Sequence, residues 1–418
     1  MDYPRELRTY GRAEAFSMPI ETIDPTNAFW FQSNTILDFF ERLRRDDPVH
    51  FNQNNALGRF WSVTKYKDIM QVDTSHGIYS SDWTHGGIGL ADAPLEKRTP
   101  SFINMDPPKH DVQRKAVSPI VAPANLATME ALIRSRTVEV LDSLPRNTQF
   151  NWVEKVSIEL TTRMLATLFD FPFEDRRLLT WWSDVTTSNP GLDHIVESLD
   201  EREAELDKML DYFTRLWNER VNAPPGNDLV SMLAHNPATR SMGPREFLGN
   251  LTLLIVGGND TTRNSMSGGV LAMHQFPQEW AKLRANPRLV DSAVPEIIRW
   301  QTPLPLMRRT ALQDAELGGK HIQKGDKVVM WYLSGNRDEE AIERPNDFII
   351  DRARPRQHLS FGFGIHRCVG NRLAEMQLKV LWEEILKRFE RIEVVGEPKR
   401  LLSNFVRGIT DLQVVLPA

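Results

Sequence analysis

Cys368 is the single cysteine of this 418-residue chain. One cysteine excludes an internal disulfide, and it excludes every zinc or iron–sulfur site that needs several thiolates. The fold must therefore be held by its own apolar core, and a chain of this length with 41% hydrophobic residues can bury a large one. A lone thiol also fits a reducing compartment.

Charge and hydropathy exclude several classes of protein. Fifty-one basic against 56 acidic side chains give a net charge of −5, which does not suggest a nucleic-acid or membrane-surface protein. No run approaches the ~18 apolar residues of a membrane span, and the first residues lack the apolar core of a signal peptide. We therefore expect a cytoplasmic protein with no membrane span and no nucleic-acid partner.

The chain shows no internal repeat, no low-complexity tract and no linker, so we expect a single domain over residues 1–418. Residues 49–52 and 60–63 flank a turn-rich stretch and predict a β-hairpin. Most of 105–300 has helical spacing of apolar residues. Further β-like segments are 312–322, 327–332 and 412–416. The predicted fold class is mainly α with a minor β portion.

The long apolar segment 247–274 predicts a helix with an unusual face. Residues at a spacing of about 3.6 form one stripe that is bulky at its start and small or polar after Gly257 and Gly258. Each glycine costs ~1 kcal/mol relative to alanine inside a helix. The pair therefore indicates either the close approach of a large ligand or a helix–helix crossing.

Cys368 lies in a glycine-rich loop just before a strongly amphipathic helix. Amide groups and the helix dipole at such a helix N-terminus favour the thiolate, the form that binds a metal or attacks an electrophile. A buried, inert cysteine is the alternative interpretation. A dinucleotide-binding loop is excluded, because Arg367 stands where its third glycine would be needed.

The pattern F-x-x-G-x-x-x-C-x-G, formed by Phe361, Gly364, Cys368 and Gly370, resembles the haem-binding loop of cytochrome P-450 enzymes. The resemblance extends from about residue 45 to the C-terminus. It implies a haem-thiolate monooxygenase, a single large domain in which haem b lies between a long central helix and the cysteine loop. Cys368 would be the axial ligand of the iron, and thiolate ligation favours cleavage of the O–O bond of dioxygen.

Other segments resemble the family in the expected order. Glu296 and Arg299 match its E-x-x-R helix and Arg352 its partner arginine, which implies a structural role in bracing the cysteine loop. Gly257 and Gly258 match a haem-facing helix segment. The residues that match the family's contacts to the haem propionates are His110, Arg114, Arg309 and His366.

Asp260 and Thr261 follow that glycine pair and resemble the family's oxygen-activation segment. An acid beside a hydroxyl can relay protons to bound oxygen, so both residues are predicted to be catalytic. This acid–alcohol pair favours a monooxygenase over a haem-thiolate peroxygenase, which would consume peroxide. A non-catalytic haem sensor is a third possibility. A sensor would need an effector segment, and we expect none in this chain.

Two electrons per turnover must come from another protein. The stretch after Cys368 is too short for a fused reductase, so the resemblance implies a ferredoxin and an NAD(P)H-dependent ferredoxin reductase. We predict that the ferredoxin docks on the cysteine side of the haem. The basic patch of this chain that would receive it consists of Arg114, Lys115, Arg367 and Arg372.

Two strings, 257–269 and 303–311, resemble the bacterial soluble alkane and fatty-acid ω-hydroxylase group of the superfamily. This implies a linear aliphatic substrate, an alkane, fatty acid or primary alcohol, hydroxylated at or near its terminal carbon. A terpenoid or steroid hydroxylase is the alternative. Core packing explains any single one of the expected substrate contacts equally well. Those contacts are Ile88, Leu90, Val256, Leu304, Leu306, Met307, Phe405 and Val406.

Overall fold

The computed structural model describes residues 12–54 and 56–417. Helices take up 54% and strands 11%, which confirms a mainly α fold with a minor β portion. The α-helices are α1 Arg12–Ser17, α2 Ala28–Gln32, α3 Ile36–Asp46, α4 Tyr66–Thr74, α5 Lys109–Val117, α6 Pro123–Asp142, α7 Glu159–Phe169, α8 Arg177–Thr187, α9 Leu199–Val221, α10 Leu229–His235, α11 Pro244–Gln275, α12 Pro277–Ala285, α13 Val290–Gln301, α14 Tyr332–Gly335 and α15 Asn371–Arg388.

Within the described residues the strands form four small sheets. The largest has the order β1-β2-β8-β5-β3, in which β2 and β8 run parallel and the other neighbours antiparallel. The strands are β1 Val49–Asn54, β2 Gly58–Val63, β3 Tyr79–Ser80, β4 Phe150–Asn151, β5 Leu306–Ala311, β6 Ala315–Leu317, β7 Lys320–Ile322, β8 Lys327–Trp331, β9 Glu393–Val394, β10 Lys399–Arg400, β11 Ile409–Asp411 and β12 Gln413–Val415.

The predicted hairpin is confirmed as β1–β2, with Val49 opposite Val63. Segment 312–322 is a second hairpin, β6–β7, and 327–332 contains β8. Strand β5 was not predicted. It is buried along its whole length between β8 and β3, so it lacks the alternation of polar and apolar residues that marks a half-exposed strand.

Helix α11 runs unbroken for 32 residues through the centre of the molecule. It begins with Pro244, whose fixed φ suits the first helical position, and it ends just before Pro277. Its neighbours include α7, α8, α9, α13 and α15. The first half packs in one apolar cluster and the second half in another. The helix therefore presents its middle, where Gly257 and Gly258 lie, to the boundary between these two clusters.

No single helix in residues 12–54 and 56–417 is long and apolar enough to cross a membrane. One bent pair, Lys109–Val121 and Pro123–Asp142, meets the length and composition requirement together, with a 45° bend between its halves.

Candidate active site

A cavity of about 370 Å³ lies between the middle of α11 and the cysteine loop, residues 361–370. Helix α11 contributes Val256, Gly257, Gly258, Thr261, Thr262 and Ser265, together with residues nearer its start. The cysteine loop contributes Phe361, Gly362, His366, Cys368, Val369 and Gly370. The structure thus brings the two glycine-rich segments of the sequence together around one space.

Gly257 and Gly258 both border the cavity, but they serve different purposes. A Cβ built on Gly257 meets no heavy atom within 4 Å. A Cβ on Gly258 meets Leu165 Cδ2 of α7 at 2.8 Å. The helix-crossing interpretation is therefore correct at Gly258. At Gly257 the wall of the cavity is open, so the approach of a large ligand stays a prediction for that residue.

Cys368 is held by its own loop and faces the cavity. Its N–H donates to the Phe361 carbonyl at 2.8 Å, and its side chain is accessible in the cavity. Burial raises the pKa of the thiol, while the Gly370 amide and the charge of Arg114 lower it. The helix terminus thus favours the thiolate as expected, but desolvation outweighs this effect. A metal ion bound to the sulfur would favour the thiolate.

The loop owes its shape to glycines other than those at the cavity wall. Gly364 has φ +65°, and a Cβ there would run into the carbonyl oxygen of Asp73 at the end of α4. Gly364 does not line the cavity. The sequence predicts Gly364 as a residue of the cofactor site. The structure gives it the role of a turn residue that lets the loop wrap around α4.

Basic side chains gather at one edge of the cavity. Arg114, Arg309 and His366 line it, and His110 packs edge-on against His366 with 4.5 Å between ring centroids. His366 Nε2 lies 2.5 Å from Ser81 Oγ, and burial lowers the pKa of this imidazole to about 2. His110 Nε2 and His366 Nδ1 are buried and have no partner among the described residues.

Glu296, Arg299 and Arg352 form a buried ion-pair cluster outside the cavity. Arg299 makes two bonds to Glu296, at 2.7 and 2.8 Å, and Arg352 Nε donates to the same carboxylate at 2.9 Å. Arg299 also donates to the Asn336 carbonyl at 2.8 Å. The Asn336 side chain in turn accepts from the Leu359 amide, which places the cluster behind the start of the cysteine loop.

Asp260 and Thr261 do not face the same side of α11. Thr261 lines the cavity, and its hydroxyl donates to the Gly257 carbonyl at 2.9 Å. Asp260 is fully buried against α8, where it accepts from Ser183 Oγ at 2.8 Å and pairs with Arg263. Burial raises the pKa of Asp260, and Arg263 opposes that rise.

The sequence matches one family model, "Cytochrome P450", over residues 190–414. The chain belongs to the cytochrome P450 family. It is 37% identical to linalool 8-monooxygenase of Pseudomonas putida over 91% of this chain and 95% of that protein. It is 32% identical to steroid C26-monooxygenase of Mycolicibacterium smegmatis, over 89% of this chain and 88% of that one. The solved structure of cytochrome P450-153 from Novosphingobium aromaticivorans matches with a TM-score of 0.89 at 46% identity, covering 94% of this chain and 99% of that one.

P450 enzymes carry haem b on a cysteine thiolate, and the residues here fit such a group. Cys368, the axial ligand, faces the cavity from one side, and the open wall at Gly257 faces it from the other. Arg114 and Arg309 supply positive charge where acidic propionates would be held, and the unpartnered His366 Nδ1 can donate there when its Nε2 accepts from Ser81 Oγ. His110 Nδ1 donates to the Asp111 carboxylate at 2.8 Å, and its ring packs against His366.

Five of the eight predicted substrate contacts of this P450 line the cavity. They are Ile88, Val256, Leu304, Met307 and Phe405.

The predictions for Leu90, Leu306 and Val406 are wrong. Leu306 alternates with Met307 along β5 and points into an apolar cluster on the other face of the sheet. Leu90 lies in a run of turns, where the two-residue spacing from Ile88 does not keep side chains on one side, and it packs against the same cluster. Val406 is 1% exposed, in a turn where Ser403 Oγ accepts its N–H and that of Phe405.

Sequence reasoning missed the wall formed by Phe102 and Ile103. The Phe102 amide donates to the buried Asn250 side chain at 3.2 Å, and Gly249 of α11 lets the Pro100 carbonyl approach closely. Gly249 was the signal in the sequence that could have indicated this wall, since a glycine inside a helix often marks a close approach of another chain segment.

The predicted basic patch lies partly at the surface. Lys115, Arg367 and Arg372 are exposed, whereas Arg114 is partly buried, donates to the Arg367 carbonyl and lines the cavity. The structure therefore leaves three of the four cations free to meet an acidic partner.

Proposed function

We propose that this P450 hydroxylates a linear aliphatic substrate, an alkane, fatty acid or primary alcohol, at or near its terminal carbon. The observation that carries the proposal is the chemistry of the cavity wall. Away from the cysteine loop it presents Ile88, Val256, Leu304, Met307 and Phe405. No Asp or Glu lines it among the described residues, and its two arginines lie at the edge assigned to the propionates.

In this proposal, different residues bind the haem, transfer a proton and position the substrate. When bound, haem on a cysteine thiolate supplies the activation of dioxygen and the insertion of one oxygen atom into a C–H bond. Cys368 holds the haem, and the Thr261 hydroxyl carries a proton at the cavity wall. The apolar walls exclude water and hold the chain with its end toward the haem. Terminal attack needs such positioning, because a methyl C–H bond is stronger than its methylene neighbours.

Asp260 fits the role of a proton reservoir rather than a direct donor. Its carboxyl is buried between α8 and α11, where desolvation raises its pKa. Arg263 binds both Asp260 and Asp184, so the two carboxylates share one cation. A shift of α8 would change that sharing and the proton affinity of Asp260.

The electron donor in this proposal is a small acidic ferredoxin, reduced by an NAD(P)H-dependent reductase, acting with this single-domain enzyme in the cytoplasm. Exposed Lys115, Arg367 and Arg372 beside the cysteine loop support it. A reducing compartment would keep the one thiol available for the haem.

The alternative is a terpenoid or steroid hydroxylase. The 37% identity to linalool 8-monooxygenase and the 32% identity to steroid C26-monooxygenase favour it. The linear-aliphatic proposal and this alternative both need an apolar cavity. They differ in the shape of the substrate that the cavity must hold.

Product analysis with the reconstituted enzyme separates the two. We expect octane and decanoic acid to give mainly terminal alcohols, identified by mass spectrometry. Turnover of a monoterpene alone, or mainly in-chain products, would contradict the linear assignment. Met307→Val and Leu306→Val form a matched pair: the first should change the ratio of terminal to in-chain product, and the second should lower stability without changing that ratio.

A further inference from the structure

Asp73, in the last turn of α4, is a buried carboxylate that the site described above does not use. Its side chain is 1% exposed. Oδ1 accepts from Arg309 Nη2 at 2.9 Å. Oδ2 accepts from the Tyr332 hydroxyl at 3.0 Å and from the Phe363 amide at 2.8 Å. The three donors come from β5, from α14 and from the cysteine loop.

Only a carboxylate can serve all three donors. An asparagine has one acceptor oxygen, and its NH₂ would face either the Arg309 guanidinium or the pair formed by Tyr332 and Phe363. Burial raises the pKa of Asp73, and Arg309 and the Phe363 amide oppose that rise. The pKa of Tyr332 lies well above its usual value because of burial and the charge of Asp73.

Arg309 depends on Asp73 for its orientation. Among the described residues Asp73 is its ion-pair partner, and Arg309 Nη1 donates to the Arg308 carbonyl at 2.9 Å. The neighbouring Arg308 pairs instead with Asp92, whose side chain is 47% exposed. Since Arg309 lines the cavity, its partner decides how much positive charge it presents there.

The same carboxylate also fixes the start of the cysteine loop. The Phe363 amide lies five residues before Cys368 and is bound directly by Asp73. A Cβ on Gly362 would lie 3.4 Å from Asp73 Oδ2, and the turn through Gly364 closes around the Asp73 carbonyl. One residue of α4 therefore contacts both the ligand loop and a cation of the propionate edge.

We propose that Asp73 is a positioning residue that sets the reduction potential of the haem through Arg309. The proposal rests on the assignment of Arg309 to the propionate edge. By pairing with Arg309, Asp73 offsets positive charge that would otherwise favour the ferrous state. It holds the guanidinium and the cysteine loop in one arrangement, so neither moves independently of the other.

The test is the ferric/ferrous midpoint potential of the purified holoenzyme, measured by spectroelectrochemistry. We expect Asp73→Asn to shift the potential in the positive direction. Asp326→Asn is the control: it removes a carboxylate that binds Trp61 and Gln323, and it should leave the potential unchanged. No shift in Asp73→Asn, or an equal shift in the control, would overturn the proposal.

Tyr332→Phe provides a second variant that keeps the ion pair with Arg309. Loss of the hydroxyl leaves the carboxylate charge less neutralised, so the potential should shift in the negative direction. A merely structural role, in which both variants loosen the loop, would move the two potentials the same way. That result would contradict the proposal. If Asp73→Asn does not retain haem, an unchanged or positively shifted potential in Tyr332→Phe contradicts the proposal by itself.

A variant of Arg309 separates failure of this proposal from failure of the propionate assignment. Arg309→Gln should shift the potential negative, and Asp73→Asn should then add no further shift, because an unpaired buried carboxylic acid becomes protonated. An unchanged potential in Arg309→Gln would show that the propionate assignment is wrong. A full additional shift in the double variant would show that Asp73 does not act through Arg309.

Discussion

Thr261 and Asp260 are neighbours in the chain but face opposite sides of α11. The sequence motif indicates that an acid and a hydroxyl are both needed, and it cannot say which of them reaches the cavity. A helix turns by about 100° per residue, so adjacent side chains cannot share a face. Ser183 of α8 donates to Asp260 and holds it away from the cavity, and Arg263, which pairs with Asp260, also binds Asp184 of α8. These contacts with α8 are visible only in the fold.

Thr261→Ala is expected to uncouple the enzyme. Removing the hydroxyl takes away the group that we propose carries a proton at the cavity wall, and it leaves the apolar walls intact. Substrate binding should be largely unchanged, and reducing equivalents should be diverted to peroxide. The ratio of product formed to NAD(P)H consumed measures the effect.

Thr214→Ala is the matched control for this variant. Its hydroxyl makes the same bond to the carbonyl four residues earlier, at 2.7 Å, but on the exposed face of α9. It should keep wild-type coupling. Unchanged coupling in Thr261→Ala would count against the proton-transfer role.

His358 is expected to make the protein sensitive to acid. Burial lowers its pKa from 6.5 to about 3, with Arg299 and Arg367 adding repulsion. Between these two values the unfolded chain binds a proton that the folded chain does not. The free energy of unfolding should therefore fall by up to about 1.4 kcal/mol for each pH unit below 6.5.

Urea unfolding of the holoenzyme between pH 6.5 and pH 5 checks this contribution. His358→Asn keeps an acceptor for the Ser360 amide, which donates to His358 Nδ1 at 3.3 Å, but it cannot bind a proton. We expect a shallower pH dependence in this variant. Equal slopes in variant and wild type would show that His358 does not cause the loss of stability.

At the scale of elements, α11 and β5 show what sequence patterns reveal and what they hide. Helix α11 is predictable because its apolar stripe is long and becomes small or polar from the glycine pair Gly257 and Gly258 onward. Strand β5 contains two arginines and reads as polar, yet it is buried because Arg308 pairs with Asp92 and Arg309 with Asp73. Such pairing joins residues more than 200 positions apart, which no local pattern contains.

Alanine substitutions of Gly257 and Gly258 in α11 are expected to change the free energy of unfolding in opposite directions. Gly258→Ala should lower the free energy of unfolding by about 1–3 kcal/mol, because its Cβ would press on Leu165 Cδ2 at 2.8 Å. Gly257→Ala meets no neighbour and should gain up to ~1 kcal/mol of helix propensity in the haem-free protein. Denaturant unfolding of both variants measures the difference.

Leu165→Ala in the Gly258→Ala background tests the cause. If the contact with α7 is responsible, Leu165→Ala should cost less stability in the Gly258→Ala background than it costs in the wild type. The same loss of stability in Gly257→Ala and Gly258→Ala would contradict the division of roles between the two glycines.

At the scale of the whole molecule, the enzyme depends on a surface that another protein must recognise. The exposed cations beside the cysteine loop predict a salt-dependent rate of reduction by an acidic ferredoxin. Arg367→Glu with Arg372→Glu should slow that reduction, and the effect should diminish at high ionic strength. Stopped-flow measurement of haem reduction follows both quantities.

Arg288→Glu is the control for each single reversal, Arg367→Glu or Arg372→Glu, since it changes the net charge equally and Arg288 is exposed on a turn outside this patch. It should leave the rate and its salt dependence unchanged. If the control and the patch variants slow haem reduction equally, the ferredoxin does not dock on this patch.

The central claim is that Cys368 holds haem as a thiolate between α11 and the cysteine loop. The most direct measurement is the absorption spectrum of the reduced carbon monoxide complex, recorded for the wild type and for Cys368→Ser. The wild type should show the red-shifted Soret band of thiolate ligation, and the variant should lose it. Retention of that band in Cys368→Ser would contradict the claim.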